Sequence, residues 1–357
     1  MNRERRTMDL KMIKTPALHR QEVDPIKMKF GDRVRLNVPL KRYTSARLGG
    51  PADVLLTARG IEELIEMVSF LWETEIPFVL LGGGSNVLVS DAGFRGVVIL
   101  NQCRQVRFDA RGDPPIVWAA SGANLGRVAR QAAMRGLSGL EWAVGVPGTV
   151  GGAVVGNAGA HDGDMASSLL LAEILHREWE NKPIGGCVRT DQKIYRSNWT
   201  SEAFQYTYRG SRLKVEQTQA VKSGAKERSG FTLPSQPGAI VLSATLKLQR
   251  ASRAEIQARI GQFNDHRRRT QPPGASMGSM FKNPPGDYAG RLIEAVGLKG
   301  MRLGGVGISP LHANFFINYG DGTAAEVREL IELAQKTVAE RFGRWLELEI
   351  QLIGDWA

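Results

Sequence analysis

Between Gly145 and Ala160 the chain reads GVPGTVGGAVVGNAGA, a run in which almost no side chain is large enough to fill a core. Its backbone must therefore be the working part. Gly145, Gly148, Gly151, Gly152, Gly156 and Gly159 leave peptide groups bare to a flat or anionic ligand, and they permit turns with positive φ. A second bare segment, Gly82-Gly83-Gly84-Ser85-Asn86, follows the apolar run Phe78 to Leu81, as a strand-to-turn phosphate cradle would. Tight packing can also demand glycine, but two such segments point to a large, phosphate-bearing cofactor.

At 357 residues the chain has room for two or three domains. No apolar run approaches the roughly 20 residues that span a bilayer, so membrane insertion is not expected. The start, MNRERRTMDLKMIK, lacks the apolar stretch of a signal peptide, so a cytoplasmic protein is expected. Cys103 and Cys187 lie far apart with no metal-ligand spacing, so neither a disulfide nor a metal is expected. The net charge of +11 raises the question of nucleic acid, but the excess cations are scattered along the chain. Their dense cluster, Arg267-Arg268-Arg269, ends a predicted helix, where cations also suit the dipole. A solvated basic surface that suits an anionic substrate is the better reading than a nucleic-acid site. No obligate protein partner is inferred.

The order of elements predicts an α+β fold. Residues 1–29 mix charges with Pro16 and Pro25 and read as a tail or loosely docked extension. Strands are expected at Val54–Leu56, Phe78–Leu81, Val87–Val89 and Val97–Leu100. A helix carrying Ile61, Leu64, Ile65, Val68 and Leu71 falls among them. The glycine turn does not open into a periodic helix, which excludes a dinucleotide fingerprint of the Rossmann kind. Further strands are expected at Ile116–Ala120, Leu169–Leu175 and Ile240–Leu248, with a helix from Leu125 to Ala133 that Gly136 ends. Val215 to Gly238 is polar and reads as a mobile surface excursion. Ser252 with Glu255 and Thr323 with Glu326 form two expected capping boxes, the second heading a helix that Gly343 stops. Trp345 to Ile353 alternates as a closing strand, with Leu346, Leu348, Ile350 and Leu352 on one face and Glu347, Glu349 and Gln351 on the other.

Three stretches carry groups able to do chemistry. GSMFKNP, Gly278 to Pro284, brings together a hydroxyl on Ser279, an ammonium on Lys282 and an amide on Asn283, although a capped turn would use the same residues. Tyr208-Arg209-Gly210-Ser211 offers a guanidinium suited to a carboxylate. Glu347 and Glu349 share a strand face, and the bland account of that face is that it is wet. His161 and His312 are further acid/base groups, but a lone histidine in such surroundings is usually structural.

Taken together and in order, YTSARLGGPAD, LLGGGSNVLVSDAGFRG, GLSGLEWAVGVPGTVGGAVVGNAGA, YRGSRLK, GSMFKNPPGDYAGRLIEAVGLKG, GISPLHANFFIN and LELEI resemble the UDP-N-acetylenolpyruvoylglucosamine reductases of peptidoglycan synthesis from about Tyr43 onward. The resemblance implies a two-lobed FAD-binding domain of the vanillyl-alcohol-oxidase type and an α+β substrate-binding C-terminal domain. The implied limits are 30–105 for the first lobe, joined by 344–357, 106–250 for the second and 251–343 for the substrate domain. It implies that NADPH reduces FAD, and that the hydride then passes to the enolpyruvyl ether of a UDP-sugar. It also implies catalytic roles for Arg209 and Glu349 at the substrate carboxylate and for Ser279 as proton donor to the enolate carbon.

In that reading the cofactor lies on Arg47, Gly82, Gly83, Gly84, Ser85, Asn86, Gly145, Pro147, Gly148, Thr149, Gly151, Gly152, Asn157 and Ala158, and the substrate meets Tyr208, Lys282 and Asn283. No histidine falls within the glycine segments, so the FAD is expected to be noncovalent. The chain departs from the family at Tyr43, where Asn is usual, and at Leu348, where Pro is common. The compact chain after Asn283 matches the shorter type of the family. An FAD-dependent sugar or alcohol oxidase of the same fold is the nearest alternative.

Overall fold

A computed structural model describes residues 17–184, 187–215 and 237–356. Three sheets carry the chain. The first has four strands in the order Arg35–Pro39, Pro51–Ala58, Phe94–Asn101, Phe78–Leu81. Its last three strands run parallel, with Val54 and Phe78 both registered on Val97. The helix Ile61–Glu73 makes the crossover that parallel strands require, and buries Leu64, Met67, Val68, Leu71 and Trp72 at helical spacing.

Of residues 1–29, read from the sequence as a tail or loosely docked extension, 1–16 lie outside the described residues, and the helix Arg20–Phe30 begins within the rest. Ile26 and Phe30 are buried in the core beneath the first sheet, and the Phe30 ring packs edge-on against Phe70 at 5.3 Å. Pro25 lies inside this helix and forfeits one backbone bond, which burial of the two side chains offsets.

The second sheet is antiparallel, in the order Cys187–Thr200, Leu169–Ile184, Ala239–Lys247, Ile116–Ala120, Val106–Asp109. One face packs on the helix Leu125–Met134, and residues of the other, including Leu175, Ile240 and Leu242, join the core of the first sheet. The surface excursion expected from Val215 to Gly238 falls mostly outside the described residues.

The third sheet is antiparallel, in the order Ala275–Ser279, Phe315–Asn318, Val306–Ile308, Arg302–Leu303, and is covered by the helix Ala324–Phe342. Thr323 and Glu326 form the expected capping box there, and Gly343 closes the helix in the left-handed conformation. Ser252 heads the helix Arg253–Thr270 without a side-chain cap bond, so the other expected capping box does not form.

The closing strand is shorter than its alternation suggests. Only Gln351–Ile353 is regular, paired in parallel with Val87–Val89, which returns the end of the chain to the first lobe. Before it, Trp345 to Ile350 leaves strand geometry to lie along the Met280–Lys282 segment. Lys282 N donates to Glu347 O at 2.9 Å, and Glu349 N donates to Met280 O at 2.9 Å.

Candidate active site

The two glycine segments are pressed together. A Cβ built on Gly82 would sit 2.5 Å from Thr149 Oγ1, and one on Gly83 would sit 3.1 Å from Gly148 Cα. Across the second segment, a Cβ on Gly151 would meet Ser121 Cβ at 2.8 Å. Larger side chains would therefore push the turns apart. Bare backbone here forms one wall of a cavity of about 770 Å³, toward the upper end of the roughly 300–1,000 Å³ usual for ligand sites. That size suits a dinucleotide with a second ligand at its edge. The chemistry of the wall, bare amides with hydroxyls from Ser45, Ser85, Ser121 and Thr149, fits the FAD expected from the sequence.

In the same cavity, hydrogen bonds join three distant parts of the chain. Ser279 ends its strand opposite Phe315 and lines the cavity. The next residue bonds to Glu349 N, and Glu349 O in turn accepts from Asn86 Nδ2 at 3.1 Å. Gln351 N donates to Asn86 O at 3.0 Å. The first glycine turn, the Ser279 segment and the closing segment thus hold one another, which puts Ser279 and Glu349 on the same cavity wall.

Arg209 comes from the second lobe. It adopts φ +56°, a left-handed conformation costly for a large side chain. The tight turn Thr207 to Gly210, bonded in both directions at 3.1 Å, fixes that backbone. Its guanidinium donates to Gly159 O at 2.9 Å through one terminal nitrogen. Its Nε lies 3.0 Å from Glu349 Oε1 in a charge contact whose N–H is not aligned as a hydrogen bond, so the pair keeps freedom to accept a third group. Burial pushes the Glu349 carboxyl above its ordinary range, against the opposing pull of Arg209, Lys214 and Lys282. A buried acid held beside a fixed cation can donate a hydrogen bond to an anionic oxygen while the cation neutralises it.

The other expected residues divide. Gly82, Gly83, Gly84, Ser85, Asn86, Pro147, Gly148, Thr149, Gly151, Gly152 and Ala158 all line the cavity. Gly145 does not, and its Cα faces the Arg267 side chain instead. Asn157 is spent on structure. It caps the glycine helix Val150–Gly156 at φ +44°, donates to Thr207 O at 3.0 Å and accepts from Ala166 N at 3.0 Å. Arg47 is exposed, away from the lining, while its neighbour Ser45 reaches the cavity and donates its N–H to Gly84 O.

Tyr208 is exposed outside the cavity, with the Arg209 guanidinium 5.5 Å from its ring centroid. Lys282 pairs with Glu347 at 3.2 Å, and Asn283 accepts from Ala289 N at 3.1 Å, so neither lines the cavity. His312 packs against Gly290 and accepts from Asn314 N, a structural role. His161 does line the cavity, stacked on Phe263 at 4.1 Å. The sequence also gives no advance sign of Lys214, Arg267 or Gln271 in the lining. Lys214 sits within the matched YRGSRLK segment; beyond that, no local pattern marks these three.

Among the described residues, no group of His, Cys, Asp and Glu is placed to hold a metal, and no helix is long and apolar enough to cross a membrane.

Comparison with known proteins agrees with this geometry. Residues 52–175 match the model of an FAD binding domain, and residues 270–353 match UDP-N-acetylenolpyruvoylglucosamine reductase, C-terminal domain. The UDP-N-acetylenolpyruvoylglucosamine reductase of Chloroflexus aggregans is 39% identical over 325 residues, covering 90% of this chain and 97% of that protein. The enzyme of the same name from Rubrobacter xylanophilus is 38% identical over 321 residues, covering 90% and 95%. The solved structure of the reductase from Thermus caldophilus superposes with a TM-score of 0.67 at 36% identity, covering 90% of this chain and 99% of that one. The α+β, two-lobed FAD-binding architecture expected from the sequence is the one found. With that extent of match at both ends of a cavity built for a dinucleotide and an anion, the chain belongs to the UDP-N-acetylenolpyruvoylglucosamine reductase family.

Proposed function

We propose that the protein reduces the enolpyruvyl ether of UDP-N-acetylglucosamine to UDP-N-acetylmuramate in peptidoglycan synthesis, as an FAD- and NADPH-dependent oxidoreductase. The observation that carries the reading is the Arg209–Glu349 contact at 3.0 Å, in one cavity with Ser279 and both glycine segments. Bound in that cavity, FAD supplies hydride transfer between reduced nicotinamide and the sugar. The glycine segments hold it without a covalent link.

Adding hydride to an alkene conjugated to a carboxylate builds negative charge on the carboxylate oxygens. Arg209 meets that charge with a guanidinium that cannot be deprotonated, already fixed in place by Gly159 O. Burial raises the Glu349 carboxyl pKa, which favours the protonated form that donates a hydrogen bond to the same oxygens rather than repelling them. Ser279 delivers the proton to the adjacent carbon. A serine hydroxyl is a weak acid, so its proton must be replaced through a neighbour or a water.

The test is anaerobic. The flavin is reduced with NADPH, the enolpyruvyl UDP-sugar is added, and the visible absorbance of the flavin is followed. Prompt reoxidation by the sugar is expected. A flavin that reoxidises with oxygen alone would leave the fold in place and remove this function in favour of an oxidase.

A further inference from the structure

The cavity has a second cation beside Arg209, and the reaction described above gives it no task. Lys214 follows Arg209 by five residues, on the helical turn at 212–215. Ser211 ties that turn down from both sides. Its hydroxyl donates to Val155 O at 2.6 Å and accepts from Lys214 N at 3.2 Å. Val155 belongs to the glycine helix, so the turn is anchored to the element that forms the cofactor wall. From there the Lys214 ammonium bends back and donates to the backbone oxygen of Arg209 at 3.1 Å, while its side chain lines the cavity.

We infer that Lys214 is a positioning residue of the sugar half-reaction, holding the left-handed peptide of Arg209 so that the guanidinium stays over Glu349 as charge develops on the substrate carboxylate. The inference rests on the proposed reductase activity.

The geometry gives two reasons. Arg209 is held at φ +56°, a conformation that a residue of its size keeps only where its surroundings impose it. The Arg209 side chain is anchored at Gly159 O, and the Asn157 amide holds Thr207 O; the Lys214 bond holds the carbonyl of Arg209 itself. The second reason is charge. Three cations, Arg209, Lys214 and Lys282, act on Glu349, and Lys282 is turned toward Glu347 on the surface. Lys214 therefore adds positive potential from inside the cavity. Burial, then Lys282, lowers its ammonium pKa to about 8, with Glu349 opposing and Arg209 adding to the lowering.

A residue of this kind acts on the transition state more than on ground-state binding. Displacing a catalytic group by about 1 Å costs about 10²-fold in rate.

The experiment separates the half-reactions in flavin-loaded protein. In Lys214→Met, reduction of the flavin by NADPH is expected within about twofold of the unsubstituted protein. Reoxidation by saturating enolpyruvyl UDP-sugar is expected to slow about 10- to 100-fold, with the sugar KM changed far less than kcat. Lys214→Arg, which restores a charged donor, should recover most of the loss.

Reoxidation at the unsubstituted rate in Lys214→Met would overturn the inference. Equal slowing of both half-reactions, or loss of bound flavin, would also overturn it by making Lys214 a residue of the fold. Failure of the unsubstituted protein to be reoxidised by the sugar at all would instead remove the reductase reading itself.

Discussion

Gly84 offers a direct measure of how tightly the cofactor wall is built. It adopts φ +60°, and a Cβ there would lie 2.0 Å from Tyr43 O and 2.9 Å from Thr44 Cα, where ordinary contact begins at 3.4 Å. Both neighbours are backbone, so no side chain can swing away. In Gly84→Ala the left-handed conformation costs about 1–2 kcal/mol. Moving Tyr43 and Thr44 aside also strains the bond from Ser45 N to Gly84 O at 2.9 Å, worth about 1 kcal/mol. The sum is about 2–3 kcal/mol of stability, in the range expected of a strained backbone position.

Gly261 supplies the control. It lies within the helix Arg253–Thr270, where a Cβ would meet nothing within 4 Å, so Gly261→Ala should stabilise by about 0.5–1 kcal/mol. Urea unfolding of the flavin-loaded proteins, followed by tryptophan emission and by flavin release, reads both. Gly84→Ala should also release flavin at lower urea. If it unfolds within 0.5 kcal/mol of the unsubstituted protein and keeps its flavin, the turn can yield, and the rigid cradle inferred from these distances does not exist.

Ser279→Ala should leave flavin reduction by NADPH normal and slow reoxidation by the sugar about 10²- to 10⁴-fold; unchanged turnover would remove the proton-donor role. Glu349→Gln should cost a similar factor in the same half-reaction. It should also change the pH dependence of stability. Because burial raises the Glu349 pKa, the native chain retains a proton that the unfolded chain has already released. Between the two pKa values this group therefore makes stability fall as pH rises, and the neutral amide should abolish that part of the slope. Denaturant melts across the acid-to-neutral range would show it, and a slope unchanged by the substitution would mean that Glu349 is not held protonated. Acid precipitation should leave the flavin in the supernatant, whereas a yellow pellet would mean a covalent link.

Much of the fold is legible in the sequence because its elements bury one face each. The spacing of Leu64, Val68 and Leu71, and the Thr323–Glu326 capping box, specify their helices locally. The strand Cys187–Thr200 carries no such signal. CVRTDQKIYRSNWT is polar along most of its length, and it is a strand because Leu169–Ile184 pairs with it as an edge. The same limit applies to the helix Arg20–Phe30, whose two buried side chains are meaningful only once the first sheet exists to receive them.

At the site, the residue types in GSMFKNP are legible, but their directions are not. Ser279 faces the cavity, whereas three residues later the chain has turned and Lys282 meets Glu347 on the surface. No periodicity carries through that turn, so sequence alone assigns Ser279, Lys282 and Asn283 to one place when the backbone separates them. Asn157 misleads for a related reason. A polar side chain among glycines looks like a ligand contact, but a helix ending in the left-handed conformation needs a residue that tolerates it, and this one spends both ends of its amide on backbone.

The Arg209–Glu349 contact is therefore a product of assembly between distant parts of the chain. Arg209 is set by bonds within the second lobe, to Gly159 O and through Lys214. Glu349 is set by Met280, just after the strand Ala275–Ser279, and by Asn86 of the first glycine turn. Bringing a buried carboxyl to a guanidinium costs desolvation, which the packed cores of the lobes offset and the pair alone would not. A ligand that bridges the glycine wall and the Arg209–Glu349 contact binds the assembled arrangement and not its separated parts, so it must stabilise the junction by an amount that grows with the logarithm of its concentration over its Kd.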